Sequence, residues 1–372
     1  MAAQNPGGRS FGGPNKYIQR AGEMTRLGDH VSNLGSNAFL LADPFVLDQY
    51  GASLRQSMER SGGVFRLERF SGECSSTEIA RVTELVRASG ATIVVGIGGG
   101  KTADTAKMAA IATGARIVIV PTIASTDAPC SAIAVRYTDD GVYQEAHSLG
   151  RNPDIVIVDS DVVVKAPVRF LVSGIGDALS TWFEARSNLD SNSTNLVKPS
   201  MLPPAAGMAI ARTCHDVLMR DALAAKIAAE KGALTPAVEN IIEANTLLSG
   251  LGFENCGVSA AHGIHDGLTV LDETHAFFHG EKVAFGVLCL LMLEGRPLAE
   301  IREMTVFCRS LGLPTRLADL DLASATRADL ERVAEAALLP GSPTWNVAVP
   351  LSVPIVRDAI IATDAFTSSL QG

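Results

Sequence analysis

The sequence has no surplus of basic charge: across 372 residues, 31 Lys and Arg stand against 40 Asp and Glu, a formal net charge of −9. Non-specific grip on a phosphate backbone needs an excess of cations, so no nucleic-acid partner is expected. Long apolar runs are also missing. The opening stretch MAAQNPGGRSFGGPNKY has no apolar core, which argues against a secretory signal and predicts a mobile polar arm over residues 1–15. The apolar stretch that ends at Leu293, before Glu294, is about half a bilayer span, so neither a transmembrane helix nor a membrane partner is expected. The six cysteines are scattered and form no CxxC pair. In a chain of this length they read as reduced, packed thiols of a cytoplasmic protein. Histidine is scarce, with 7 in the chain, yet four of these (His262, His265, His275 and His279) fall in one window of 18 residues.

What is present is a foldable chain. It is 47% hydrophobic and 19% charged with 34 Gly, which excludes disorder as the dominant state. Its length corresponds to about two domains. Up to about residue 160, short β-branched runs alternate with helical patterns. Strands are expected at Ala38–Ala42, Val64–Phe70, Ala91–Val95, Arg116–Val120 and Asp154–Val158, with helices at Phe45–Arg60, Ser76–Ser89 and Thr102–Thr113. Ile133–Tyr137, turning at Asp139-Asp140-Gly141, reads as a two-stranded excursion. Strands alternating with helices imply βαβ units and a mostly parallel sheet. From Arg169 onward apolar residues recur at helical spacing, with Ser187–Pro204 as a polar connector. The expected division is therefore an α/β N-terminal dinucleotide-binding domain over 1–165 and an all-α C-terminal domain over 166–372.

The run GIGGGKTADTAK, Gly96–Lys107, follows an apolar strand and opens a helix. Without Cβ atoms the backbone can approach phosphate oxygens, and a helix N-terminus offers free N–H groups. Gly98, Gly100 and Ala103 fit the dinucleotide spacing G-x-G-x-x-A, with Gly99 between them. A P-loop would need glycine where Val95 stands, so nucleoside triphosphate chemistry is disfavoured. Lys101 is expected near the phosphates. Asp43 closes the strand AFLLA and reads either as a helix cap before Pro44 or as an acceptor for ribose hydroxyls favouring NAD. A standard ribose acid lies about 20 residues after the glycine turn, not before it. The segment PTIASTDAPCSAIAVRY, Pro121–Tyr137, places Thr122, Ser125, Thr126, Asp127 and Ser131 after another strand, suited to loop capping or to cofactor and substrate contacts.

The histidine window AAHGIHDGLTVLDETHAFFHGEK sets His262 and His265 on one helix face, with His275 and His279 beyond a short loop. Imidazoles from two nearby segments suit a divalent metal, and a carboxylate is the natural third ligand of a catalytic site. Spacing does not choose among the histidines, nor among Asp177, Asp266, Asp272, Glu273 and Glu281. Asp177, in GIGDALSTWFEA, is expected at a helix start, as a ligand or as a cap.

These motifs, with IEANTLLSGLGFE at Ile242–Glu254 and HGEKVAFG at His279–Gly286, resemble the glycerol dehydrogenase branch of the metal-dependent, iron-type alcohol dehydrogenases. That group shares its architecture with 3-dehydroquinate synthase. The resemblance runs from about Lys16 to the last helix and is weakest over 1–15 and around 340–354. It implies oxidation of glycerol to dihydroxyacetone with NAD and one divalent metal, zinc or in some relatives iron, in a homo-oligomer. Carried over residue by residue, it implies Asp177, His262 and His279 as metal ligands and Asp127 at the substrate. Cofactor contacts would fall on Asp43, Gly98, Gly99, Gly100, Lys101, Thr122, Ser125, Ser131, Ile133 and Tyr137. The resemblance leaves His265 as a proton-relay or substrate neighbour. Asp266 departs from the Asn common in such relatives, and Thr344–Pro350 also looks divergent. A related diol dehydrogenase, a lyase of the dehydroquinate synthase type and a non-catalytic NAD sensor are the rival readings. The lyase would need a basic pocket for a phosphorylated substrate, and few Lys or Arg lie beside the motifs.

Overall fold

The computed structural model describes residues 7–370. The chain divides into two compact units. One comprises Gly12–Val168 with Ala229–Gly250, and the other Met1–Phe11, Arg169–Ala228 and Leu251–Gly372. The first is the α/β unit and the second is helical.

In the α/β unit, strands β1 (Lys16–Gln19), β2 (Asn37–Ala42), β3 (Val64–Arg69), β4 (Ile93–Gly98), β5 (Arg116–Pro121) and β8 (Ile155–Val158) form a six-stranded sheet in the order β1-β8-β5-β4-β2-β3. Every pairing in it is parallel. β6 (Ile133–Tyr137) and β7 (Tyr143–Ser148) make the separate antiparallel pair. The central strands are rich in Ile and Val and buried apart from Arg116 at the start of β5, as expected of a sheet covered on both faces. Helices α1 (Leu27–Ser32), α2 (Pro44–Arg60), α3 (Ser76–Ser89) and α4 (Gly100–Thr113) connect successive strands from β1 to β5, and α5 (Ser160–Val163) follows β8. α3 is capped by Ser75, whose side chain accepts from Glu78 N–H, and it stops at Gly90 with φ +65°. One core cluster joins Leu40, Val95, Ile97, Val118 and Ile157 of the sheet to Leu54 and Met58 of α2.

The strand order has one consequence for function. The chain moves outward from β2 to β3, then returns to place β4 on the other side of β2. The crevice at the carboxyl ends of β2 and β4 is therefore a topological switch point, the usual ligand site of open parallel sheets.

The helical unit holds α6 (Val168–Asp190), α7 (Ala205–Ala229), α9 (Ser249–Cys256), α10 (Ala260–Leu268), α11 (His279–Leu293), α12 (Leu298–Leu311), α13 (Arg327–Ala337) and α14 (Val353–Ser369), with the ends of α6, α7 and α9 reaching its boundaries. Among the described residues no helix is long and apolar enough to cross a membrane.

Three features differ from expectation. Residues 1–6 of the expected arm lie outside the described residues. Gly8 O accepts from Leu202 N–H at 3.0 Å and Ser10 Oγ donates to Asn195 Oδ1 at 3.0 Å, so this part of the arm is held by the helical unit. The short polar strand β1 was not expected; it pairs with β8 at the sheet edge. The stretch 229–250, expected in the C-terminal domain, belongs to the α/β unit. In it α8 (Pro236–Glu243) is fastened by Glu239, which accepts from Gln19 Nε2 and Ser160 Oγ, each at 2.6 Å.

Candidate active site

The switch point brings Asp43 beside the glycine turn. Ala42 is in register with Ile97, so the residue after β2 faces the residues that end β4. Asp43 stands at the N-cap position of α2, but its side chain does not cap that helix. Instead Oδ2 accepts from Gly99 N–H at 2.9 Å, and Oδ1 accepts from Thr102 Oγ1. A Cβ on Gly98 would overlap the Asp43 carboxylate, which explains why only glycine fits there. The acid upstream of the turn is thus its spatial neighbour because β2 and β4 are adjacent.

Beyond Gly99 the N-terminus of α4 opens. The helix's own ladder begins with Ala103 N–H donating to Gly99 O, so the amides of Gly100, Lys101 and Thr102 precede it. A Cβ on Gly100 would meet nothing within 4 Å, which leaves the backbone approachable. Lys101 is half-exposed; its Nζ lies 2.6 Å from Glu73 Oε2 and 5.1 Å from the centre of the Tyr137 ring. Lys101 is thus held by Glu73 beside the turn.

The turn after β5 is stapled from two sides. Lys107, on α4, is fully buried: its Nζ donates to Ala128 O at 2.7 Å and Ile133 O at 2.9 Å and lies 3.4 Å from Asp104 Oδ1. Asp104 Oδ2 accepts from Val135 N–H at 2.9 Å. From the other side a π-turn, Ala244–Leu248, interrupts the helix between α8 and α9. Such insertions cluster at functional sites. Next to it, Ser249 Oγ donates to Asp127 Oδ2 at 2.7 Å, and Asn245 Nδ2 donates to Ala124 O at 2.9 Å. A Cβ on Gly250 would come within 2.9 Å of Asp127 O. Thr122 and Ser131 are buried here, and Ser131 Oγ donates to Ala128 O at 3.0 Å while accepting from Ile133 N–H at 3.3 Å. Asp104, Lys107, Asn245 and Ser249 support this turn, and sequence reading missed all four. Asp104 and Lys107 are three apart on α4, a pattern that also fits an ordinary surface ion pair.

The helical unit gathers a second set. Asp177, expected at a helix start, lies well inside α6 and is buried, so it is not a cap. His279 is the first residue of α11, and His262 lies in the first turn of α10. Glycines permit the approach: a Cβ on Gly280 would overlap Ser173 O and come within 2.8 Å of Asp177 N, and one on Gly176 would overlap Gly280 O. The backbones of α6 and α11 consequently touch, and Asp177 faces His279.

Asp177 Oδ1 lies 3.1 Å from His279 Nε2 and 3.5 Å from His262 Nε2. Atoms bound ~2.0–2.2 Å from one tetrahedral ion sit about 3.4 Å apart, so these spacings suit a shared zinc-like ion. Among the described residues this is the group of His, Cys, Asp or Glu side chains placed to hold a metal. Burial works against the charge on Asp177, but His279 and His262 outweigh it and hold its carboxyl well below the usual range. Burial likewise opposes protonation of His262, and the Glu184 and Asp177 carboxylates more than offset it, raising its pKa.

The tautomer of His262 is set from behind. Fully buried Glu184 accepts from His262 Nδ1 at 2.7 Å through Oε2, and from the amides of Ser259 and His262 at 2.8 and 3.0 Å through Oε1. With Nδ1 donating to Glu184, Nε2 is the nitrogen that His262 turns toward Asp177 and would offer to an ion. Glu184 is a further residue that sequence reading missed. Its signal was available, since it stands seven positions after Asp177, two turns along the same helix face.

His265 does not join the three. Its Nε2 lies 3.0 Å from His279 Nδ1, and its Nδ1 lies 2.9 Å from Asp266 Oδ1. Burial and the nearby His279 lower its pKa to about 3. His275 is exposed, 3.0 Å from Thr269 O and apart from the cluster. Thr344, at the start of the divergent segment, is buried against Gly263, next to His262.

Residues 14–160 match the family described as "Iron-containing alcohol dehydrogenase". A glycerol dehydrogenase of Thermotoga maritima is 45% identical over 355 residues, covering 95% of this chain and 96% of its own. The chain belongs to the iron-containing alcohol dehydrogenase family. A glycolaldehyde reductase of Halobacterium salinarum is 41% identical over 354 residues, covering 95% of this chain and 96% of its own. A crystal structure of a probable glycerol dehydrogenase from Sinorhizobium meliloti 1021 superposes with a TM-score of 0.93 at 62% identity, over 97% of this chain and 99% of the other. These likenesses extend through both units of this iron-containing alcohol dehydrogenase family member, and they make it an oxidoreductase.

Proposed function

We propose that this chain oxidises glycerol to dihydroxyacetone with NAD. The observation that carries the reading is the convergence of Asp177 Oδ1, His262 Nε2 and His279 Nε2 in a chain so similar to glycerol dehydrogenases. Those three residues would hold one divalent ion, zinc or iron. When bound, that ion supplies Lewis acidity toward a substrate hydroxyl and leaves a coordination position open to it.

The remaining roles belong to the chain's own residues. The first-turn amides of α4, with Gly98, Gly99 and Gly100, receive the pyrophosphate. Asp43 accepts from ribose hydroxyls and repels a 2′-phosphate, favouring NAD over NADP. Lys101, Thr122, Ser125, Ser131, Ile133 and Tyr137 line the rest of the cofactor path. Asp127, held by Ser249, accepts from a glycerol hydroxyl. With NAD bound, its nicotinamide would supply the acceptor for the hydride from C2 of glycerol, and the hydroxyl proton would leave to water. The cysteines described are free and buried, which suits a reducing cytoplasm, and the enzyme works as a homo-oligomer.

The test is NADH formation by zinc-loaded protein with glycerol, before and after chelation. NADH that disappears on chelation and returns with zinc supports the reading. Failure with glycerol, together with NADH-dependent reduction of glycolaldehyde, would transfer the assignment to the activity named for the Halobacterium relative.

A further inference from the structure

We propose that Asp266, acting through His265, is a positioning residue that fixes the tautomer in which His279 faces the metal. The inference rests on the metal reading above and extends it to two residues outside the proposed ligand set.

The geometry is a chain of three side chains. Asp266 Oδ1 lies 2.9 Å from His265 Nδ1, and His265 Nε2 lies 3.0 Å from His279 Nδ1. His279 Nε2 in turn lies 3.1 Å from Asp177 Oδ1. The rings of His265 and His279 meet edge to face with centroids 4.3 Å apart, so their relative orientation is defined.

An ionised carboxylate only accepts hydrogen bonds, so His265 must carry a proton on Nδ1 to meet Asp266. With the Nδ1 proton directed to Asp266, a singly protonated His265 offers Nε2 as an acceptor, and the proton between the two rings, whose nitrogens lie 3.0 Å apart, belongs to His279 Nδ1. A neutral His279 with its proton there has a lone pair on Nε2, the atom that faces Asp177. Were Asp266 absent, the His265 proton could move to Nε2 and donate to His279 Nδ1. That arrangement forces the single proton of neutral His279 onto Nε2, where it blocks metal ligation.

His262 provides the comparison within the same site. Glu184 orients it directly, whereas the half-exposed Asp266 carboxylate orients His279 through an intervening ring. Carboxylates behind metal-bound imidazoles commonly serve this purpose, and losing one weakens metal affinity by about 10–100-fold.

The experiment measures zinc affinity by competition with a chromogenic chelator for wild type, D266A, D266N, H265F and the D266A/H265F pair. Nitrogen NMR of the His279 ring in each zinc-loaded protein reads the tautomer, and thermal melting checks the fold. D266A is expected to lose about 10–100-fold in affinity and to show a mixed His279 signal. D266N, whose amide oxygen still accepts from His265 Nδ1, should recover most of that loss. The double variant should be no worse than H265F alone, because both changes break one chain. Wild-type affinity and an unchanged tautomer in a folded D266A protein would overturn the proposal, as would additive losses in the double variant. If wild type binds no zinc that D177A abolishes, the metal reading itself falls, and this inference with it.

Discussion

Replacing Lys107 by Met tests whether the turn after β5 depends on one buried cation. Lys107 is fully enclosed, with Nζ 2.7 Å from Ala128 O, 2.9 Å from Ile133 O and 3.4 Å from Asp104 Oδ1. Met keeps much of the stem's volume and removes every donor. Two buried carbonyls lose a partner, at about 1–3 kcal/mol each. Asp104 loses its counter-charge, and breaking one half of a buried pair costs about 3–5 kcal/mol. The losses overlap because one ammonium group supplies all three contacts, and Asp104 can relieve its share by taking up a proton. The expected net destabilisation near neutral pH is about 3–5 kcal/mol.

The pH dependence has a definite sign. Burial already raises the Asp104 carboxyl, with Lys107 as the main opposing influence. Without Lys107 the folded protein holds that proton still more tightly than the unfolded chain. A carboxyl raised by folding favours the native state at low pH, and that advantage is lost as pH rises through the folded value. The K107M deficit should therefore shrink on acidification and widen toward neutral pH. Urea unfolding at two pH values reads the trend, and NAD titration reads the displaced turn, whose affinity should fall. A variant within about 0.5 kcal/mol of wild type at neutral pH, with normal NAD binding, would refute the reasoning.

Three further outcomes follow from the same geometry. G280A places a methyl against the α6 backbone, chiefly at Ser173 O; overpacking of this kind costs about 1–3 kcal/mol, and because the clash extends to Asp177 N it should also weaken zinc binding, seen by melting and metal analysis. E184Q keeps one acceptor oxygen but loses the charge behind His262, so zinc affinity should drop by about 10–100-fold while NAD binding is spared. S249A removes the hydroxyl donating to Asp127 and should raise KM for glycerol several-fold with KM for NAD unchanged, measured by steady-state kinetics.

The elements were readable where local pattern determines them. The apolar strands, the capped helix Ser76–Ser89 and the glycine turn all stand close to their expected positions, because β-branched runs, a Ser cap and glycines act over a few residues. β1 escaped because KYIQ is short and polar, and an edge strand needs little more than a partner to pair with. The stretch 229–250 reads as one more helix of the C-terminal half. What assigns it to the sheet is Glu239 meeting Gln19 and Ser160, contacts 220 and 79 residues apart in the chain.

The site residues follow the same division. Asp43 looked misplaced by the usual spacing because that spacing assumes the acid follows the turn; strand order, which no local pattern encodes, makes them neighbours. Asp177 read as a possible cap because an acid among glycines and small residues has that local appearance, whereas α6 runs on through it. The glycines around it record a different constraint. Gly176 and Gly280 sit where two helices touch backbone to backbone, so they mark the contact that joins Asp177 to His279. Glu184, two turns further along the same face, then has a reason to be acidic inside an apolar helix, since its partner His262 is 78 residues away. In this chain a buried acid beside a glycine that admits another backbone points to a ligand or to the residue behind one, and Asp177 with Glu184 shows both cases on one helix.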